Sequence, residues 1–217
     1  MSKPVVAIVT IVFTTLLSLI RRKVYGFSMK QLMFIIVYTL AAGLTGSEIF
    51  YLIENGEWGG IRFYGAVLLI PLFSLLLARI TKLPVADMED FAPVLGLSMF
   101  SVYKTNCYLT GCCTGCVIAH TAEGVPIYFP SQIAEVIVTL MIVATGMILE
   151  RDRTNSGKIF PICMILYSST RFILQFFRWD TTPFLFGIPA AYLWSIIGMI
   201  FGTTWFVLHN KKQKQQS

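Results

Sequence analysis

Lys104 and Arg171 lie inside apolar stretches of this 217-residue chain, and Arg171, Gln175 and Arg178 recur at the three- and four-residue spacing that sets side chains on one helix face. Cations are costly against lipid, so both should turn toward the interior of a helical bundle. Two chemistries are then open. Lys104 and Arg171 pair with the intramembrane acids Glu48 and Glu135 as structural ion pairs, or they form an anion site in which cations hold a phosphate and stabilise the charge on it as it leaves. A row of donors from Arg171 through Gln175 to Arg178, together with Lys104 beside an outward loop, favours the anion site.

Cys112, Cys113 and Cys116 have the look of metal-ligand spacing, with His120 the only imidazole nearby. A structural zinc site takes four ligands. One disulfide in an oxidising outer loop, or small side chains packed at a helix end, therefore competes with it, and neither a metal nor a cofactor is expected. Gly59 to Gly65 opens a further apolar stretch, where glycines let the backbone approach a ligand or a neighbouring helix. Tyr64 within it is either a hydrogen-bonding acid or base or an aromatic anchor at the membrane interface.

The elements that must carry these residues are set by composition. With 56% hydrophobic and 13% charged residues and a mean hydropathy of +0.72, a soluble domain would have nowhere to bury its apolar surface. The sequence predicts an all-α integral membrane protein, a single transmembrane domain over residues 1–217. Apolar windows long enough for a hydrocarbon core of ~30 Å run from Pro4 to Ile20, Gln31 to Ile53, Ile61 to Ile80, Phe91 to Leu109, Ile133 to Leu149, Ile159 to Phe177 and Phe184 to Leu208. That is seven transmembrane helices. The first follows Lys3 as a signal peptide would, but no small-residue cleavage site follows it and Arg21-Arg22-Lys23 stands where a stop would be, so the window reads as a retained helix.

Basic residues accumulate in alternate connections, beginning with Arg21, Arg22, Lys23 and Lys30, then Arg79 and Lys82, then Arg151, Arg153 and Lys158, then Lys211, Lys212 and Lys214. The positive-inside rule then puts the N-terminus outside and the C-terminus in the cytosol. The formal charge of +6 is accordingly a topology signal, and nucleic-acid binding is not expected. Arg62, Lys104, Arg171 and Arg178 fall within or at the outer ends of spans, where topology does not require them. Small residues Ala41, Ala42, Gly43, Gly46 and Ser47 would let another helix approach the second span closely.

In order along the chain, these segments resemble the prolipoprotein diacylglyceryl transferase family. Arg21 to Gly26 resembles its basic loop, Gly43 to Tyr51 its Gly-Ala-Arg-Leu-Gly-Tyr helix, and Gly59 to Ala66 its Gly-Gly-x-x-Phe-His-Gly-Gly segment. Tyr103 to Gly115 is similar to Gly-Arg-x-Gly-Cys/Asn-Phe-x-Asn-Gly-Cys-Cys-x-Gly, Phe129 to Glu135 to His-Pro-Ser-Gln-Leu-Tyr-Glu, and Arg171 to Arg178 to Arg-Phe-x-x-Glu-Phe-x-Arg. The resemblance implies transfer of a diacylglyceryl group from phosphatidylglycerol to the thiol of a lipobox cysteine, leaving glycerol phosphate, at the outer face of a bacterial plasma membrane. It implies a catalytic set of Arg171, Lys104 and Tyr64, and a substrate-binding set of Cys107, Gly111, Gly115, Ser131, Gln132, Glu135, Gln175 and Arg178.

Several polar positions differ from the family pattern. Lys104 stands for an arginine, Tyr64 and Phe129 for histidines, Gln175 for a glutamate, and Glu48 where an arginine is common. An ammonium cannot make the two parallel bonds that a guanidinium offers a phosphate. Two other readings share the scaffold, namely a related lipid-modifying transferase with another acceptor and an anionic-lipid binding or transport protein without chemistry. A cysteine peptidase ranks last, because no Cys and His share an intramembrane helix face.

Overall fold

In the computed structural model, which describes residues 3–60, 62–178 and 183–216, the apolar windows become helices α1 (Lys3–Tyr25), α2 (Met29–Asn55), α3 (Phe63–Leu68), α4 (Ile70–Thr81), α5 (Val85–Leu109), α6 (Ser131–Leu149), α7 (Ile159–Gln175) and α8 (Ala190–Gln216). Three of them are long and apolar enough to cross a membrane: α2, α6 and residues Ala190–Lys211 of α8. Helices α4 and α7 are shorter and apolar.

Two expected boundaries are corrected. The third window is two helices, α3 and α4, with the break at Leu69 and Pro71 in the first turn of α4, where its missing N–H removes no intrahelical bond. Ile61, the expected start of that window, lies outside the described residues. The all-α expectation must also admit two small antiparallel hairpins, Val117–His120 (β1) with Pro126–Tyr128 (β2), and Pro183–Leu185 (β3) with Ile188–Pro189 (β4). The expected seventh window began at Phe184, which is in β3; α8 begins only at Ala190. Hairpins satisfy the backbone donors and acceptors of connections that have no helix to use them.

Helix α5 is the central element and packs against α1, α4, α6 and α7. Its residues Phe91, Val94 and Leu95 are completely buried. Among the small residues of α2, Gly46 proves to be the point of closest approach. A β-carbon on Gly65 of α3 would lie 2.0 Å from the Gly46 carbonyl oxygen, so only glycine permits this crossing.

At the end of the bundle holding the 149–159 connection, charged side chains lock the helices. Arg21, expected in a loop, lies inside α1 at 1% exposure, and its Nε donates to both oxygens of Glu150 at 3.0 and 2.9 Å. Its Nη1 donates to the Phe91 carbonyl at 2.9 Å. The α1 helix runs past the apolar window because this buried carboxylate and carbonyl satisfy the guanidinium. Asp90 of α5 accepts the backbone N–H groups of Gly157, Ile159 and Phe160 at 2.6, 3.0 and 3.1 Å, capping the start of α7 from a neighbouring helix.

Candidate active site

One buried carboxylate collects the cations that the sequence singles out. Glu135, in the second turn of α6, pairs with Lys104 of α5 at 2.5 Å, with Arg171 of α7, and with Arg178 just beyond α7 at 3.3 Å. Its side chain is 3% exposed. Lys104 and Arg171 alone outnumber the single acid they share, so the cluster carries positive charge in a region of low dielectric. Of the two expected acids only Glu135 takes part; Glu48 is exposed on α2. The stripe is also not a single helix face, because α7 ends at Gln175 and the chain turns before Arg178. Arg178 reaches Glu135 through its Nη1, and its backbone is held in place by a bridge to Gly115.

Gly115 makes that bridge possible. A β-carbon there would lie 2.4 Å from the Phe129 carbonyl and 2.6 Å from the Phe177 carbonyl. The 111–116 turn therefore threads between the segment leading into α6 and the segment leaving α7. Its N–H groups bond to both, Gly115 to Phe129 O at 3.0 Å and Cys116 to Phe177 O at 2.9 Å. Phe129 packs its ring 4.9 Å from that of Phe177.

Lys104, Arg171, Gln175, Arg178 and Tyr64 line a cavity of about 650 Å³. That size lies in the range of small-molecule sites, about 300–1,000 Å³. Its far end is apolar, lined by Val67, Ile70, Phe73, Leu77 and Met88. Lining residues on α5 extend from Met88 to Lys104, roughly 24 Å at the helical rise. The Gln175 side chain is 2% exposed and its Oε1 is unpartnered. A space with cations at one end and a long apolar wall is shaped for an amphiphile bearing an anionic head.

The other expected site residues take different places. Tyr64 donates to or accepts from Ser195 Oγ at 2.7 Å and is 6% exposed, so it is a buried, hydrogen-bonded wall residue rather than an interfacial anchor. Ser131 and Gln132 do not line the cavity; Ser131 Oγ donates to Cys113 O at 2.8 Å and Gln132 Nε2 to Cys112 O at 2.5 Å, fixing the turn. Gly111, at φ +70°, ends α5. Cys107 is buried in the last turn of α5. All five cysteines are free thiols, so the connection between α5 and α6 holds no disulfide. The sulfurs brought together are those of Cys107, Cys112 and Cys113, all within 4.8 Å of one another, while Cys116 and His120 belong elsewhere. A hydrogen bond from Cys107 and the charges of Lys104 and Arg178 hold the Cys113 thiol well below its ordinary pKa, against the opposing effect of burial.

Two lining residues, Glu54 and Trp194, escaped the sequence reading, and Arg62 stood out there as a cation without a partner. Glu54 at the end of α2 pairs with Arg62 and accepts the Trp194 indole N–H at 2.7 Å, and all three border the cavity. An acid and a base flanking the glycine-rich 55–60 connection were the signal that was there to be used.

Helices arranged around an amphipathic, cation-lined cavity define a membrane protein built to bind an anionic lipid. Residues 5–208 match the prolipoprotein diacylglyceryl transferase family, and the chain belongs to it. It is similar to phosphatidylglycerol–prolipoprotein diacylglyceryl transferase 2 of Clostridium perfringens (strain 13 / Type A), with 25% identity over 236 residues covering 95% of this chain and 90% of the relative.

Proposed function

We propose that the protein transfers a diacylglyceryl group from phosphatidylglycerol to the cysteine thiol of a prolipoprotein lipobox. The acceptor sulfur attacks the glycerol carbon that carries the phosphate ester; a C–S bond forms, the C–O bond breaks, and its electron pair leaves on the phosphate oxygen as glycerol phosphate. Charge develops on that oxygen, and fixed cations in a site that excludes water stabilise it most. Arg171 and Lys104 are the phosphate-binding pair, with Arg178 at the edge and the Gln175 amide as a neutral partner. Tyr64 shapes the wall through its bond to Ser195. The apolar end of the cavity takes the acyl chains, which would meet only lipid-like side chains there.

The observation that carries this reading is the joining of a cationic cluster to an apolar slot in one cavity. In this reading the chain forms one membrane domain over residues 1–217. Seven spans, with α3 and α4 together making the third, set the cation cluster toward the outer face of a bacterial plasma membrane, the N-terminus outside and the C-terminus in the cytosol. Basic residues in alternate connections support that orientation.

Purified protein in detergent, incubated with phosphatidylglycerol and a lipobox peptide, should add the mass of a diacylglyceryl group to the peptide cysteine. A serine version of the peptide should gain nothing. If the protein binds phosphatidylglycerol but alkylates no thiol peptide, the transferase reading is wrong and the binding reading replaces it.

A further inference from the structure

An S-alkylating enzyme needs a thiolate, and the cavity holds no imidazole to make one. The chain has two histidines: His120 is exposed in β1, and His209 contacts the Ser156 carbonyl at 3.0 Å, close to Gly157 at the start of α7. Tyr64 is occupied with Ser195, and Phe129 is packed on Phe177. Glu135 is surrounded by cations and Glu54 by Arg62 and Trp194.

The three clustered sulfurs offer another route. Cys107, Cys112 and Cys113 have their sulfurs within 4.8 Å of one another; three thiolates on one tetrahedral metal at ~2.3 Å lie about 3.8 Å apart. The turn that presents them is held rather than loose. The Cys112 N–H bonds to Cys107 O at 3.0 Å, and two completely or nearly buried side chains of α6, Ser131 and Gln132, fasten the carbonyls of Cys113 and Cys112. Cys113 sits at φ +60°, a left-handed conformation that a side chain with a β-carbon rarely adopts. Such a conformation persists only where surrounding bonds over-determine it, and it is typical of sites. Cys113 also borders the cavity that Lys104, Arg171 and Arg178 line.

We propose that Cys107, Cys112 and Cys113 bind one thiophilic divalent cation of the zinc type, and that its open fourth position takes the acceptor thiol. Three protein ligands and one exchangeable position are the arrangement of catalytic rather than structural zinc. Coordination deprotonates a thiol outright; its proton passes to water at the exposed Cys112 edge, and the bound sulfur then faces the phosphate-bearing carbon beside Lys104 and Arg171. The role of the fourth position rests on the transfer reaction proposed above, whereas the three-sulfur site does not.

Cadmium reads the site directly, because thiolate-to-cadmium charge transfer absorbs in the ultraviolet. Reduced, metal-free protein titrated with cadmium chloride in detergent should saturate at one ion per chain. Cys107→Ser, Cys112→Ser and Cys113→Ser should each lower the band by about one third, one thiolate of three, or abolish tight saturation, while Cys163→Ser leaves it unchanged. Adding a lipobox peptide should raise the band by about a third as a fourth sulfur binds, and the serine peptide should not. Absence of stoichiometric binding, indifference to the three substitutions, or no response to the thiol peptide overturns the proposal. Full transfer by chelator-treated, metal-free protein removes the metal's role and leaves the transferase reading intact; a complete cadmium response without any transfer does the reverse.

Discussion

Replacing Arg171 tests the site most sharply at the level of single side chains. Its guanidinium shares Glu135 with Lys104, and in the transferase reading it meets the phosphate as charge builds there. Arg171→Ala should lower turnover by on the order of 10²–10³-fold, the usual loss for one fixed donor at a developing oxyanion, with an unchanged melting profile in detergent. Lys104→Arg should keep or raise turnover, since a fork offers two parallel phosphate contacts; a fall of similar size to Arg171→Ala would show that a guanidinium cannot do the work of the Lys104 ammonium. Glu135→Gln acts on stability instead. It leaves the clustered cations without their buried counter-charge, which costs about 3–5 kcal/mol when one partner of a buried pair is removed, read as a lower melting temperature that phosphatidylglycerol partly restores. The sequence made Lys104 and Arg171 visible because charge in an apolar stretch is rare. It could not show that Glu135 would be their common partner, nor that Ser131 and Gln132 would turn to the cysteine carbonyls, since both depend on how α5 and α6 face each other.

Hydrophobic windows located the helices well, because length and apolarity are local properties. They missed what tertiary contacts decide. The extension of α1 through Arg21 depends on Glu150, which is 129 residues away, and the third window divides at Leu69 next to Pro71. The hairpin at Pro183–Pro189 reads as apolar sequence and so merged with α8. Close contact between α2 and α3 gives a test at this scale. Gly65→Ala would put a methyl group against the Gly46 backbone, which cannot rotate away as a side chain would. The helices must separate, at a cost of about 1–3 kcal/mol, and the adjacent Tyr64 to Ser195 bond should lengthen with them. Thermal unfolding checks this: a variant as stable as the parent would show that the crossing tolerates separation.

For the molecule as a whole, the proposed orientation of the cavity rests on the basic residues in alternate connections. Single cysteines placed between residues 54 and 58, or between 121 and 126, should react with an impermeant maleimide on intact cells in a background lacking the native thiols. Those between 151 and 158 should react only after the membrane is opened, and labelling of that last segment from outside would invert the assignment. In the proposed reading this orientation lets the cationic end meet an acceptor that arrives from outside, while acyl chains stay in the apolar end. The central claim is that one cavity couples departure of a phosphate to alkylation of a thiol. Its most direct test is a single-turnover reaction with phosphatidylglycerol and lipobox peptide, measuring glycerol phosphate and the lipid-modified peptide in the same sample. Equal amounts of the two products, both lost in folded Arg171→Ala, are the predicted result; glycerol phosphate released without peptide modification, or equal product formation by Arg171→Ala and the parent, would contradict it.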